Sequence, residues 1–261
     1  MFKILTLNNI SVQGLQRLPR ESYEIASEIS HPDAILVRSY KMHDMEIPAT
    51  VAAIGRAGAG VNNIPVDAMT ARGVPVFNAP GANANAVKEL VLAGLLMASR
   101  NIPAAMRFAS QLQGDDSEIS AAVESGKKNF VGSELPSKTL GVIGLGAIGL
   151  RVANAALSLG MKVVGYDPLI SVQSAWQLSS GVEQAVSVDH LFSRCDAVSV
   201  HVPLLDATRE LVSGERIKMM PKGGIILNMA RGGICDEQAV LAALDSGRLH
   251  AYVCDFPTGA A

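Results

Sequence analysis

Charge of one sign is missing from this chain. Its 261 residues carry 22 Lys and Arg against 24 Asp and Glu, a formal net charge of −2, which argues against a nucleic-acid surface. Cysteine is scarce. Cys195, Cys235 and Cys254 make an odd count, each in or beside an apolar stretch, and read as reduced packing residues in a cytosolic protein. The five histidines and three cysteines lack metal-ligand spacing, so no metal site is expected. Long hydrophobic runs are missing too. The longest apolar helical stretch, near 90–98, is flanked by Lys88, Glu89 and Arg100 and is too short to span a bilayer. The opening MFKILTLNNI reads as a strand, without the basic segment, apolar stretch and cleavage site of a secretory signal. Low-complexity segments and internal repeats are absent. These absences point to a cytoplasmic protein with neither nucleic acid nor membrane as partner. What the chain has is apolar content, 49% hydrophobic against 18% charged. That suffices for a sizeable core in one large or two modest domains.

The most informative stretch is 139–168, TLGVIGLGAIGLRVANAALSLGMKVVGYDP. An apolar run over 140–143 reads as a buried parallel strand. Gly144-Leu145-Gly146-Ala147-Ile148-Gly149 follows, then a helical pattern to Leu159, then a second apolar run ending on Asp167. In strand–turn–helix–strand order the glycines take separate tasks. Gly144 makes the tight turn, Gly146 admits a pyrophosphate to the backbone, and Gly149 lets the helix pack on the strand. The helix N-terminus offers amides and positive dipole to the phosphates. Asp167, about 20 residues on, suits the ribose hydroxyls and repels a 2′-phosphate, so NAD is the expected cofactor.

Upstream, short apolar strands at 3–7, 34–37, 53–56 and 74–78 alternate with helical or loop segments, which implies a parallel sheet. Functional residues gather past the carboxyl ends of such strands. Arg38-Ser39, the glycine loop 58–63 and the segment 78–83 all lie there. Each has a plain alternative: a solvated arginine, a simple turn or anion-binding nest, and in Asn83 a helix cap. Three polar strand ends on one face favour a shared cleft. Residues 84–107 form a long apolar helix broken near Asn101-Ile102-Pro103, suited to burial or a dimer surface. Residues 111–133 read as linker and surface helix. Strands are expected at 182–186, 195–200, 224–229 and 251–254, and helices at 189–192, 213–220 and 236–246, with Ser213 and Asp236 as caps.

With these segments in place the chain resembles the D-isomer-specific 2-hydroxyacid dehydrogenase family. The resemblance rests on VRS (37–39), GRAGAGVNNI (55–64), NAPGANANAVKEL (78–90), GVIGLGAIG (141–149), YDP (166–168), HVPL (201–204), TREL (208–211) and NMARGG (228–233). They occur in family order over nearly the whole chain. Arg38-Ser39 and GANANAVKEL point, within the family, to members that oxidise 3-phosphoglycerate to 3-phosphohydroxypyruvate, the first step of serine synthesis. Two alternatives remain: a glyoxylate or hydroxypyruvate reductase of the same family, and a non-catalytic NAD-binding regulator. The resemblance implies an α/β protein of two Rossmann-like doubly wound parallel-sheet domains with a cleft between them. A flavodoxin-like substrate domain would occupy 1–95 and an NAD-binding Rossmann domain 96–261, and the latter would form a homodimer or higher homo-oligomer. It also assigns roles. Arg231 would bind the substrate carboxylate and polarise the keto oxygen. The amides of Ala59 and Gly60 would hold the same carboxylate, Arg38 and Ser39 the phosphate, and Asn83 would orient the substrate. The cofactor would meet Gly144, Gly146, Ala147, Ile148, Gly149, Asp167, His201, Val202, Pro203, Thr208, Met229, Ala230, Arg231 and Asp255.

The chain also departs from the family pattern. The family uses a histidine as general acid/base oriented by a glutamate, because the C2 hydroxyl must lose a proton as hydride leaves. Counting from Asp255, Ala260 holds the glutamate position, and anchoring on Phe256-Pro257-Thr258 puts Gly259 there. The catalytic histidine has no counterpart. The chain is therefore expected to be part of a longer polypeptide, and by itself to bind NAD while turning over little or nothing. Asn62 stands where the family often has aspartate, with no expected effect on the chemistry.

Overall fold

The computed structural model describes residues 1–257; Gly259 and Ala260, the candidate glutamate positions, lie outside the described residues. The chain divides into two compact units, Met1–Asn83 and Ala84–Ala261.

In the first unit, β1 (Phe2–Leu7), α1 (Val12–Leu15), β2 (Tyr23–Ala26), β3 (Ala34–Val37), β4 (Ala53–Arg56), α2 (Val66–Ala71) and β5 (Val76–Asn78) follow in turn. The sheet order is β2-β1-β3-β4-β5 and every pairing is parallel, the flavodoxin-like winding. β2 is an addition to the strands read from sequence. Its YEIA segment is only half-buried and lies on the sheet edge, so it lacks the apolar run that marks a central strand. Helix is sparse: α1 has four residues and buries none, α2 has six and buries Met69. The core lies on one sheet face, where Leu5, Ile35, Val37 and Ile54 meet Met42, Val51, Ile64 and Met69. On the other face Phe2 and Phe77 are 61% and 62% exposed, unusual for a parallel sheet, which is ordinarily covered on both sides.

The second unit opens with three helices, α3 (Ala84–Ser99), α4 (Ile102–Ser110) and α5 (Asp116–Gly126). The break between α3 and α4 falls at the expected place. Asn101 takes a left-handed φ of 52° and Pro103 sits in the first turn of α4, where its missing N–H costs nothing. Asp115 and Glu118 form a reciprocal capping box at the start of α5. The expected boundary at 95/96 is corrected to 83/84. Val91, Leu95 and Ala98 of α3 are buried in one cluster with Leu140, Val142 and Leu227. Gly94 lies so close that a Cβ there would come within 2.9 Å of Val253. An apolar helix reports that it is buried, not which core buries it.

The alternation then runs β6 (Thr139–Ile143), α6 (Gly149–Ser158), β7 (Lys162–Tyr166), α7 (Val172–Gln177), β8 (Val182–Gln184), α8 (Val188–Arg194), β9 (Ala197–Val200), α9 (Gly214–Met219), β10 (Gly224–Asn228), α10 (Glu237–Asp245) and β11 (Leu249–Cys254). Ser187, Ser213 and Asp236 cap α8, α9 and α10 by accepting the third amide of each helix. The sheet order is β11-β10-β9-β6-β7-β8, all parallel. This is the dinucleotide-fold order, reversing direction between β6 and β9. β6, β9 and β10 are almost wholly buried, with one apolar cluster around Phe192, Val198 and Ile226 and another around Leu140, Val152 and Leu227. Among the described residues no helix is long and apolar enough to cross a membrane.

Candidate functional sites

The strand order reverses between β6 and β9, the point past whose carboxyl ends such sheets bind ligands, and the glycine turn follows β6 there. Gly144 has φ +89°, and a Cβ on it would approach the His201 carbonyl oxygen to 2.8 Å. Gly149 is more tightly held: its Cβ would stand 1.8 Å from the Gly144 carbonyl oxygen. Gly146 differs, because a Cβ there meets nothing within 4 Å. Two of the three glycines are thus required by packing. The third faces open space at the foot of α6, where a pyrophosphate would approach the helix amides. Ala147 and Ile148 complete the turn, with the Ala147 carbonyl accepting from Arg151 Nη1 at 2.6 Å.

Asp167 follows β7 and faces this turn. Its Oδ2 accepts the Leu145 amide at 2.8 Å and its Oδ1 the Leu169 amide at 2.9 Å. Both oxygens are oriented by backbone and keep lone pairs for ribose hydroxyls. Beside it opens a cavity of about 210 Å³, walled by Leu145, Ile170, Ala175, Leu178 and Val182 with Asp167 and Glu183 at its edge. An apolar slot ending at a carboxylate suits an adenosine moiety, so the residues present fit NAD.

His201 follows β9. Its Nε2 lies 2.8 Å from Ser199 Oγ, and its Nδ1 is buried without a partner among the described residues. Burial lowers the imidazole to about 4, so it is neutral at physiological pH. Val202 is half-buried and Pro203 exposed. Thr208 closes this loop on itself, its hydroxyl donating to the Pro203 carbonyl at 2.6 Å and accepting the Leu205 amide at 2.8 Å.

The end of β10 carries Arg231. Met229 is buried, Ala230 half-buried and Arg231 exposed. The arginine is fixed through its backbone by Asn228, a residue the sequence reading did not single out. Asn228 Oδ1 accepts the amides of Ala230 and Arg231 at 3.2 and 3.3 Å, and Nδ2 donates to the Arg231 carbonyl at 2.8 Å. The guanidinium donates from Nη1 to the Ala230 carbonyl at 2.7 Å and stands 5.8 Å over the Phe256 ring. Asp255, just past β11, is exposed, and its amide donates to the Asn228 carbonyl at 3.3 Å. Asn228 therefore ties both strand ends together. Its position as the last residue of an apolar strand was the available signal.

In the first unit, Arg38 and Ser39 are exposed past β3, and Ala59 and Gly60 lie past β4. The chain holds these loops open with polar side chains. The Ser39 amide donates to Asn8 Oδ1 at 3.0 Å, and the Tyr40 carbonyl accepts Asn63 Nδ2 at 2.8 Å. The Ala59 carbonyl accepts Asn78 Nδ2 at 2.7 Å. The Arg38 carbonyl accepts Arg56 Nε at 3.0 Å. Arg56 reaches from there to the glycine loop: a Cβ on Gly58 would fall 1.7 Å from its Nη1. Both loops assigned to substrate thus meet at Arg56, another residue not singled out from sequence although it ends β4. Asn83 is exposed at the end of the unit, immediately before α3.

The sequence profile of the D-isomer specific 2-hydroxyacid dehydrogenase NAD binding domain matches residues 92–259. The D-3-phosphoglycerate dehydrogenase of Methanocaldococcus jannaschii is 41% identical over 235 residues, 89% of this chain and 42% of that protein. The chain spans less than half the length of the curated relatives it matches. The apo D-mandelate dehydrogenase of Rhodotorula graminis superposes with a TM-score of 0.80 at 25% identity, covering 99% of this chain and 84% of that one. The NAD+-bound 3-phosphoglycerate dehydrogenase of Entamoeba histolytica superposes with a TM-score of 0.73 at 26% identity, covering 99% and 81%.

Proposed function

The chain belongs to the D-isomer-specific 2-hydroxyacid dehydrogenase family and carries that family's NAD-binding domain, and from that premise we propose that it serves the NAD-dependent oxidation of 3-phosphoglycerate to 3-phosphohydroxypyruvate. The observation that carries the substrate is the pairing of Arg38 and Ser39 past β3 with the amide loop at Ala59 and Gly60 past β4, both braced from within the same unit. A substrate with one carboxylate and one phosphate needs two anion sites, and these two strand ends supply them. Arg38 and Ser39 take the phosphate, while the Ala59 and Gly60 amides take the carboxylate. Asn83 orients the substrate.

When bound, NAD accepts the hydride from C2. Gly146, Ala147 and Ile148 would hold its pyrophosphate, Asp167 its adenosine ribose, and Val202, Pro203, Thr208, Met229, Ala230 and Asp255 its nicotinamide end. Arg231 binds the carboxylate through its planar fork and polarises the oxygen on C2, where negative charge develops in the reverse direction. His201 belongs to the cofactor side and is not assigned as the proton carrier. It is bonded to Ser199 inside the Rossmann unit, and protonating it is disfavoured by burial. The reading places the protein in the cytoplasm on small-molecule substrates. It takes the exposed Leu90, Leu96, Met97, Ile102 and Met106 of α3 and α4 as a homodimer surface.

The test is NADH-dependent reduction of 3-phosphohydroxypyruvate, hydroxypyruvate and glyoxylate side by side by the whole polypeptide, since the present stretch alone is expected to turn over little. Preference for the phosphorylated keto acid is expected, and Arg38→Ala should remove that preference alone. A faster reaction with either unphosphorylated acid would make the protein a reductase of the same family. Tight NAD binding with turnover of none of the three would make it a regulator.

A further inference from the structure

We propose that the amino-terminal end of the Rossmann sheet carries a second ligand site, for a small oxyanion, held by Lys222, Lys138 and the Ser99 hydroxyl. A cavity of about 70 Å³ opens there. It is bounded by the last turn of α3, the loop before β6 and the first residues of β9 and β10. From this end β6 runs five residues to the glycine turn, roughly 16 Å, so NAD and a ligand here do not compete. Ser99 is only 4% exposed and lines the cavity. Its hydroxyl has no hydrogen-bond partner among the described residues, a costly state for a buried polar group. Its carbonyl is already taken, accepting the Ser133 amide at 2.8 Å. A Cβ on Gly132 would collide with that carbonyl, so the loop forming this wall is closely packed on α3.

The charged side chains of the lining are two lysines and one aspartate. Lys222 is exposed and has no ion pair among the described residues. Lys138 Nζ lies 3.4 Å from Asp196 Oδ1, a loose pair at a partly exposed position. The other oxygen of Asp196 accepts the Thr139 amide at 2.8 Å. That carboxylate is spent on closing the start of β6, and the balance facing the cavity is positive. An oxyanion offers acceptors to both ammonium groups and to the Ser99 hydroxyl at once. At roughly 15 Å³ for each water-sized position, the cavity takes about five non-hydrogen atoms. That is the size of a phosphate ion or a short carboxylic acid, and far less than a nucleotide. A bound anion ties α3 to the starts of β9 and β10 and stabilises the second unit by mass action.

The test follows the Met161 methyl group, which lines the cavity, by NMR of the whole polypeptide with isotopically labelled methionine. Saturation with NAD keeps anions off the glycine turn. Inorganic phosphate and acetate are titrated separately, against sodium chloride at matched ionic strength. A saturable shift of the Met161 signal by either oxyanion, beyond that in chloride, is expected, and the tighter of the two identifies the group. Lys222→Gln and Ser99→Ala should each weaken binding about fivefold or more, and Lys222→Arg should keep most of it. Lys222 is exposed, so K222Q reads affinity without a loss of folding. The absence of a saturable shift, a shift that chloride reproduces, or one unchanged in K222Q and S99A would overturn the proposal. So would saturation by methylammonium in place of the oxyanions, which would make Asp196 the recognising group.

Discussion

Asn228 shows how a single buried amide can govern an exposed functional side chain. Three of its side-chain hydrogen bonds close on the Ala230–Arg231 loop. Asn228→Ala leaves two amides and one carbonyl without their partner, each costing about 1–3 kcal/mol where water cannot enter. A loss of stability in that range, read by urea unfolding, is expected together with a fall in turnover. His201 gives a pH signature. In the unfolded chain its imidazole binds a proton near 6.5, whereas the folded one stays neutral down to about 4. Between those values the unfolded state holds more protons, so stability falls as pH drops through that window. His201→Gln should flatten this part of a stability–pH curve; an unchanged slope would place the titration elsewhere. The cysteines behave as packing residues for a physical reason. Burial pushes the Cys195 and Cys235 thiols up to about 12, leaving almost no thiolate to react. Native-state labelling with a disulfide reagent should spare both, and rapid modification of either would contradict their burial.

Elements were legible in the sequence wherever burial on both faces or a cap imposed a pattern. The runs that became β6, β9 and β10 are continuous because both of their faces are covered, and Ser213 and Asp236 announced α9 and α10 through their caps. The strand Tyr23–Ala26 escaped because an edge position asks little of its side chains. Arg56 and Asn228 escaped differently. Each closes a strand that was correctly read, but Arg56 works through a bond to a residue 18 positions before it, which no local pattern encodes, whereas Asn228 bonds within three residues and was marked only by its place at the end of an apolar strand. The glycine turn offers a sharper test of what was read. Gly149→Ala would force a methyl into the Gly144 carbonyl oxygen at 1.8 Å, so α6 must shift off β6 and the melting temperature should fall sharply. Gly146→Ala meets open space and should melt nearly as wild type. Its methyl nevertheless occupies the pyrophosphate approach, and NAD affinity should drop by at least roughly tenfold. Equal melting of the two variants would refute the division of labour among the glycines.

At the scale of the molecule, the two units are unequal in how they are built. The second covers its six-stranded sheet on both faces with separate apolar clusters. The first has one cluster on one face, two short helices and exposed Phe2 and Phe77 on the other. The cost of ordering backbone is similar per residue in both, while the apolar area withdrawn from water per residue is smaller in the first. Its opening free energy should therefore be the lower of the two. In native-state hydrogen exchange under increasing urea, the amides of Leu5, Ile35 and Ile54 should exchange together, ahead of those of Val142, Val200 and Ile226. A polypeptide beginning at Ala84, where the second unit begins, should fold alone and bind NAD with an affinity within a few-fold of the whole chain, because the glycine turn, Asp167 and the adjoining cavity all lie inside it. A polypeptide beginning at residue 96 should not, since it lacks the Val91 and Leu95 side chains that close the core over β6 and β10. If both fragments bound NAD equally well, α3 would be dispensable to the Rossmann unit and the boundary at 83/84 would carry no energetic meaning.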